Sequence, residues 1–201
     1  MEDFSALLEE MEAYGRINRV PIINEQGLPV LLATVRKKKP HRILEIGTAI
    51  GYSALLMAKE AATDVEIDTL ELSEERAALA REYISRSPYS DRIRIHIGDA
   101  GENIQKLAGK YDFVFIDAAK GQYPDYFRKI YPLLTEKATV VADNVLFRGY
   151  VMGKVEYPRR FKTIVKRLRE YIDLVTKSNE FATVIREDGD GLAVSQRLPK
   201  E

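Results

Sequence analysis

The sequence predicts an α/β fold, doubly wound around a seven-stranded sheet, with helices added at the N-terminus and the last strand antiparallel. Three observations predict it: short apolar runs alternate with helical patterns, most runs are too apolar to have one wet face, and a hairpin signal closes the chain. Phe4, Leu7, Leu8 and Met11, then Leu28, Leu31, Leu32 and Val35, fall at helical spacing and predict helices within residues 1–39 that cap the ligand crevice. Strands are predicted at 42–46, 65–70, 92–97, 111–116 and 138–142, and helices at 52–62, 73–86, 102–107 and 123–134. Ser73 reads as an N-cap, followed by Glu74 and Glu75 where the helix dipole favours negative charge. A stripe from Phe161 to Val175 marks a long amphipathic helix within 157–175. Strands 181–186 and 192–196 follow, linked by Glu187-Asp188-Gly189-Asp190-Gly191, which suits an antiparallel hairpin.

Composition narrows the class. At 201 residues, 45% of them hydrophobic, one domain over 1–201 is expected, with a helical cap at 1–39 and an α/β core at 40–201. No apolar run approaches the ~20 residues of a membrane span, and Met1-Glu2-Asp3-Phe4 does not read as a secretory signal, so a cytoplasmic protein without a membrane partner is expected. Without cysteine, a metal must be held by oxygen or by His41 or His96, and oxygen ligands favour Mg, Ca or Mn. Both histidines read as structural, one before the first strand and one inside the third. Net charge is zero, yet Arg148 to Arg169 holds eight basic residues against one acid. Several of these charges alternate with the apolar stripe of 157–175, so taken alone the segment reads first as a solvated helix face; because it follows Asn144 it would also begin on the rim of the predicted site, where it would attract an anionic substrate.

The first strand ends in Glu45-Ile46-Gly47-Thr48-Ala49-Ile50-Gly51-Tyr52-Ser53, whose glycines turn the chain where a ligand would meet a helix N-terminus. The dinucleotide spacing G-x-G-x-x-G is absent, while Glu71 at the end of the second strand suits a ribose diol. Together they favour a nucleoside ligand without pyrophosphate. Glu45, an acid inside an apolar strand end, requires a polar partner. Asp117, after the fourth strand, and Asp143-Asn144, after the fifth, put three oxygen side chains at the sheet's C-terminal edge. Two close carboxylates repel unless a cation lies between them, and Mg²⁺, or alternatively Mn²⁺, suits one or two carboxylates completed by water or substrate oxygens. Either aspartate alone could be a helix cap or a turn residue.

These motifs resemble the S-adenosylmethionine-dependent O-methyltransferases related to catechol and caffeoyl-coenzyme A methyltransferases. The resemblance is carried by Val20-Pro21-Ile22, the loop from Ile43 to Ser53, Phe115 to Tyr123, Asp143 to Gly149 and Gly189 to Ala193. It implies the class I methyltransferase (Rossmann-like) fold, with Ile22, Glu45, Gly47, Tyr52, Ser53, Glu71, Asp99, Ala100 and Asp117 around the cofactor. Gly47, Tyr52 and Ser53 would line the methionine end, Glu71 the ribose hydroxyls and Asp99 the adenine, under a lid at Pro21 to Asn24. It also implies Mg²⁺ on Asp117, Asp143 and Asn144, Lys120 as catalytic base beside Asp117, and a homodimer. A neighbouring cation favours the neutral amine that a base requires.

A metal held this way prefers two neighbouring oxygens on the acceptor. The segments look most like those of the bacterial enzymes that methylate 5-hydroxyuridine at the tRNA wobble position. That implies tRNA as partner, with Arg148, Lys154, Arg159 and Arg160, and also Arg36 to Lys39, as candidate phosphate contacts. A small catechol or caffeoyl-like diol is the alternative acceptor, and a non-catalytic nucleoside-binding module the third reading.

Overall fold

The computed structural model describes residues 3–199. The expected domain limits, 1 and 201, and the Met1-Glu2 part of the start lie outside the described residues. Two helices, α1 (Phe4–Asn18) and α2 (Leu28–Lys38), precede the sheet. The core then alternates through β1 (Arg42–Ile46), α3 (Tyr52–Glu60), β2 (Glu66–Glu71), α4 (Glu74–Ser85), β3 (Ile93–Ile97), α5 (Ala100–Asn103), β4 (Tyr111–Ile116), α6 (Tyr123–Ile130) and β5 (Leu134–Ala142). It closes with α7 (Lys162–Thr176), β6 (Phe181–Arg186) and β7 (Leu192–Arg197). Among the described residues no helix is long and apolar enough to cross a membrane.

The seven strands form one sheet in the order β3-β2-β1-β4-β5-β7-β6. β1 to β5 pair in parallel, and β7 runs antiparallel to both β5 and β6, as expected for the last strand. Alternate side chains serve opposite layers. Ile43, Phe113, Phe115 and Val141 pack towards α1 to α4, whereas Leu44, Ile46, Val114, Ile116, Val140 and Ala142 pack towards α6 and α7. With both faces covered, the central strands read as continuous apolar runs.

Several boundaries differ from the sequence expectation, most by one or two residues. The predicted helix 123–134 stops at Ile130, and Tyr131–Leu133 forms a tighter 3₁₀ turn, because Pro132 has no N–H with which to continue the helical ladder after Tyr131. β5 therefore begins at Leu134 rather than Ala138. The predicted helix 102–107 starts earlier, at Ala100, because Asp99 caps it by accepting from the Glu102 N–H at 3.0 Å. Ser73 caps α4 as expected, accepting from the Arg76 N–H at 3.3 Å.

Candidate active site

Strand order reverses between β1 and β4, so the loops leaving their C-terminal ends diverge and open a crevice. Main-chain bonds carry the ladder one residue past each strand: Asp117 N–H donates to the Ile46 carbonyl at 2.9 Å, and Asp143 N–H to the Ile116 carbonyl at 2.9 Å. The loop after β1 needs glycine. Gly47 has φ +109°, and a Cβ there would lie 2.0 Å from the Asp117 carbonyl oxygen. The resulting crevice, about 330 Å³, is lined by Pro21, Gly47, Glu71, Asp99, Ala100, Asp117 and Lys120. That volume is within the small-molecule range.

Glu71 is buried, and each of its oxygens accepts one main-chain N–H, from Ala49 and from Ser73, both at 2.9 Å. A carboxylate oxygen can accept a second hydrogen bond, so hydroxyl donors from a ligand can still be received. Ile22 and Tyr52 line a neighbouring cavity of about 680 Å³ beneath α1, where the Tyr52 hydroxyl donates to Glu12.

Glu45 and Ser53 lie deeper than the crevice lining. Glu45 faces α3 and β2, accepting from the Ser53 hydroxyl at 2.5 Å and the Thr69 hydroxyl at 2.6 Å, which supplies the polar partners its burial requires. Burial lifts its carboxyl to about 7, against the opposing effect of those two bonds. Its folded pKa is thus raised, so the folded chain holds more protons than the unfolded chain between about 4.5 and 7. Stability from this group is present at low pH and lost as pH rises through that window. Glu45→Gln cannot ionise, and the pH-independent cost of its amide cancels in the comparison. Thermal unfolding should move in favour of the variant by roughly 3 kcal/mol between pH 5 and pH 8; a pH-independent difference would contradict this.

Asp117 and Asp143 follow paired residues, Ile116 and Ala142, on neighbouring strands. Burial is the first cause raising both carboxyls, and Asp143 reaches about 7 with the Asp117 charge as the second cause. Asp117 accepts no side-chain hydrogen bond from the described residues, and Asp143 accepts one, from the Asn144 N–H at 2.7 Å. Asn144 has φ +55°, a left-handed conformation that asparagine tolerates better than most residues. Among the described residues no three His, Asp or Glu side chains cluster as a metal site, so any cation here would rest on two carboxylates and the Asn144 amide. Repelling carboxylates with vacant lone pairs fit a hard divalent cation.

Lys120 opens a 3₁₀ turn, Lys120–Gln122, and its positive charge acts on both aspartates. Arg167 holds this turn, donating to the Gly121 carbonyl at 3.0 Å. Tyr123 is a tether that the sequence did not reveal. Fully buried, its hydroxyl donates to the Asp143 carbonyl at 3.0 Å, with the Ile116 carbonyl at 3.4 Å, joining the two carboxylate loops from below. Leu72, Arg76, Gln122 and Tyr126 also line the crevice without having been expected there. The first two follow Glu71 closely, a proximity that could have flagged them.

The basic residues divide. Arg36 pairs with both oxygens of Glu60, at 2.7 and 3.0 Å, and Lys39 donates to the Glu60 carbonyl at 2.9 Å. Both stand before β1, at the end of the sheet away from the crevice. Lys154 pairs with Glu187 at 2.9 Å. Arg148, Arg159 and Arg160 are exposed and form no ion pair among the described residues. His41 and His96 each meet an aspartate at 2.7 Å, Asp64 and Asp68 respectively.

The fold and its crevice define the class first: a doubly wound α/β protein with adjoining carboxylates where the strand order reverses. The sequence profile described as O-methyltransferase matches residues 7–198, and the chain belongs to that family. It is 34% identical over 145 residues to a catechol O-methyltransferase of Niastella koreensis, covering 67% of this chain and 65% of that protein. A caffeoyl-CoA O-methyltransferase of Medicago sativa is 28% identical over 186 residues, covering 86% of this chain and 72% of the relative. The match thus spans just under two thirds of the length of the Niastella protein. Among solved structures, the O-methyltransferase from Bacillus cereus in complex with SAH superposes with a TM-score of 0.85 at 25% identity, covering 98% of this chain and 92% of that one.

Proposed function

We propose that this protein transfers a methyl group from S-adenosylmethionine to a hydroxyl oxygen with the help of Mg²⁺, or Mn²⁺, held by Asp117, Asp143 and Asn144. The observation that carries the reading is the pair of carboxylates on adjacent strand ends, beside a crevice containing both a ribose-type acceptor, Glu71, and an amine, Lys120. S-adenosylmethionine supplies a methyl already activated on sulfonium sulfur. The cation supplies charge that holds two neighbouring acceptor oxygens and acidifies the hydroxyl.

The chain's own residues do the rest. Gly47 lets the main chain approach the ligand, Glu71 receives the ribose hydroxyls, and Asp99 with Ala100 meets the adenine side. Lys120, as its neutral amine, takes the hydroxyl proton as the oxygen–carbon bond forms and the sulfur–carbon bond breaks. Tyr123 keeps the loops of Asp117 and Asp143 in register, so that the acceptor oxygen is held in line with the methyl group.

The acceptor we assign is the 5-hydroxyl of 5-hydroxyuridine at the tRNA wobble position, giving 5-methoxyuridine, in a cytoplasmic homodimer. Its 4-carbonyl oxygen is the required neighbour, and Arg148, Arg159 and Arg160, which form no ion pair among the described residues, favour a polyanionic substrate. The names of the catechol and caffeoyl-CoA relatives favour a second reading, a small vicinal diol. Purified protein with S-adenosylmethionine, Mg²⁺ and tRNA bearing 5-hydroxyuridine should yield 5-methoxyuridine by nucleoside mass spectrometry, and a chelator should stop it. Turnover of caffeate with no tRNA product would favour the second reading, and transfer unaffected by chelation would remove the metal.

A further inference from the structure

The segment between Asn144 and α7 carries chemistry beyond the methyl-transfer site. Phe147 lies edge-on to Tyr150 (5.7 Å, 80°) and to Phe161 (5.3 Å, 90°), and Tyr150 stacks on Phe161 (5.9 Å, 27°). This cluster is fastened from below. The N–H groups of Leu146 and Phe147 donate to the Asp190 carbonyl at 2.9 and 3.3 Å, and Arg169 donates to the carbonyls of Val151 and Tyr150 at 2.9 and 3.2 Å.

Two guanidinium groups lie on these rings. Arg148 Cζ is 5.9 Å from the centroids of both Phe147 and Phe161, and Arg160 Cζ is 4.8 Å from Phe161. Both arginines are exposed, and neither guanidinium pairs with a carboxylate among the described residues. Elsewhere Arg36, Arg128, Arg167 and Arg186 all hold carboxylates. Exposed Met152 and Val155 lie in the same loop.

An arginine laid on an aromatic ring keeps its outer face and its N–H fork free. A planar base can stack on that face while a phosphate takes the fork. Double-stranded nucleic acid offers the phosphates but hides the bases, and a lipid surface offers the charge but nothing planar to stack. Unpaired RNA offers both.

We propose that Arg148 and Arg160, backed by Phe147, Tyr150 and Phe161, form a stacking platform for unpaired RNA nucleotides beside the methyl acceptor. This rests on the tRNA reading above and specifies how that RNA is held. Stacking is separable from charge because lysine keeps the charge and loses the plane.

Full-length protein is titrated, by fluorescence anisotropy, with an RNA hairpin bearing an unpaired loop, with the same stem as a closed duplex, with coenzyme A and with phosphatidylserine vesicles. The hairpin should bind best. Arg148→Ala and Arg160→Ala should each weaken it about tenfold, and Arg148→Lys and Arg160→Lys nearly as much. Lysine variants that bind like the parent, equal affinity for the duplex, or binding of coenzyme A or vesicles without the hairpin would each overturn the platform. Methyl transfer to tRNA is scored separately. Hairpin binding of the expected kind without transfer defeats the acceptor assignment and leaves the platform standing, whereas transfer with fully active lysine variants defeats the platform alone.

Discussion

Lys120→Ala is expected to slow methyl transfer by about 10²–10⁴-fold, the usual contribution of a positioned base, while affinity for S-adenosylmethionine changes far less. The amine lies in the crevice and acts electrostatically on Asp117 and Asp143, so it could serve merely as a counter-charge. Lys120→Arg separates the two roles. It keeps a cation beside the carboxylates but cannot release a proton near neutral pH. The arginine variant should therefore be as slow as alanine in single-turnover assays, with cofactor affinity followed by calorimetry. An arginine variant as fast as the parent would assign Lys120 to charge balance and leave the reaction without its proton acceptor.

Gly47→Ala should have the largest effect on the crevice itself. The residue combines φ +109° with a Cβ position only 2.0 Å from the Asp117 carbonyl oxygen, a main-chain atom that cannot rotate away. Backbone strain and overpacking together amount to about 2–6 kcal/mol, and the loop must shift exactly where Asp117 and the ligand meet. We expect loss of measurable cofactor binding and a fall in Tm of about 5–20 °C. Gly51→Ala is the control. It shares a positive φ of +86°, but its nearest neighbour would be the end of the Ile84 side chain at 3.2 Å, so its effect should be clearly smaller. Equal Tm and equal cofactor binding for Gly47→Ala and the parent would show that the loop tolerates the shift.

The strands and the loop residues at their ends were legible because both are local signals. An apolar run bounded by glycine or by an acid states where a strand stops, and in a parallel sheet all such stops fall on one edge. That is why Gly47, Glu71, Asp99 and Asp117 share one crevice as their positions suggested. Other features depend on pairing that no local pattern records. Glu45 plainly needed a partner, but Thr69 is reached only through the β1–β2 register that sets it opposite. The hydroxyl of Tyr123 was hidden within the apolar face of α6, where an aromatic residue is needed for packing regardless of what its oxygen does. Arg36 and Lys39 read as free cations because Glu60, which occupies both, is remote in sequence and near only in space. The early start of β5 was masked by residues that also suit a helix, and Pro132 decided between them.

The turn between β6 and β7 grips two segments at once. An added Cβ at Gly189 would lie 2.7 Å from the Asn24 side chain, and one at Gly191 would lie 2.3 Å from Leu146. Hydrogen bonds from Val145 to Phe147 end on the carbonyls of Asp190 and Gly191. Those grips continue past Arg148: its N–H donates to the Asp190 carboxylate at 3.3 Å, Lys154 pairs with Glu187 at 2.9 Å, and Arg169 holds the Tyr150 and Val151 carbonyls from α7. A change in the hairpin turn is therefore transmitted to the segment that follows the candidate metal ligands.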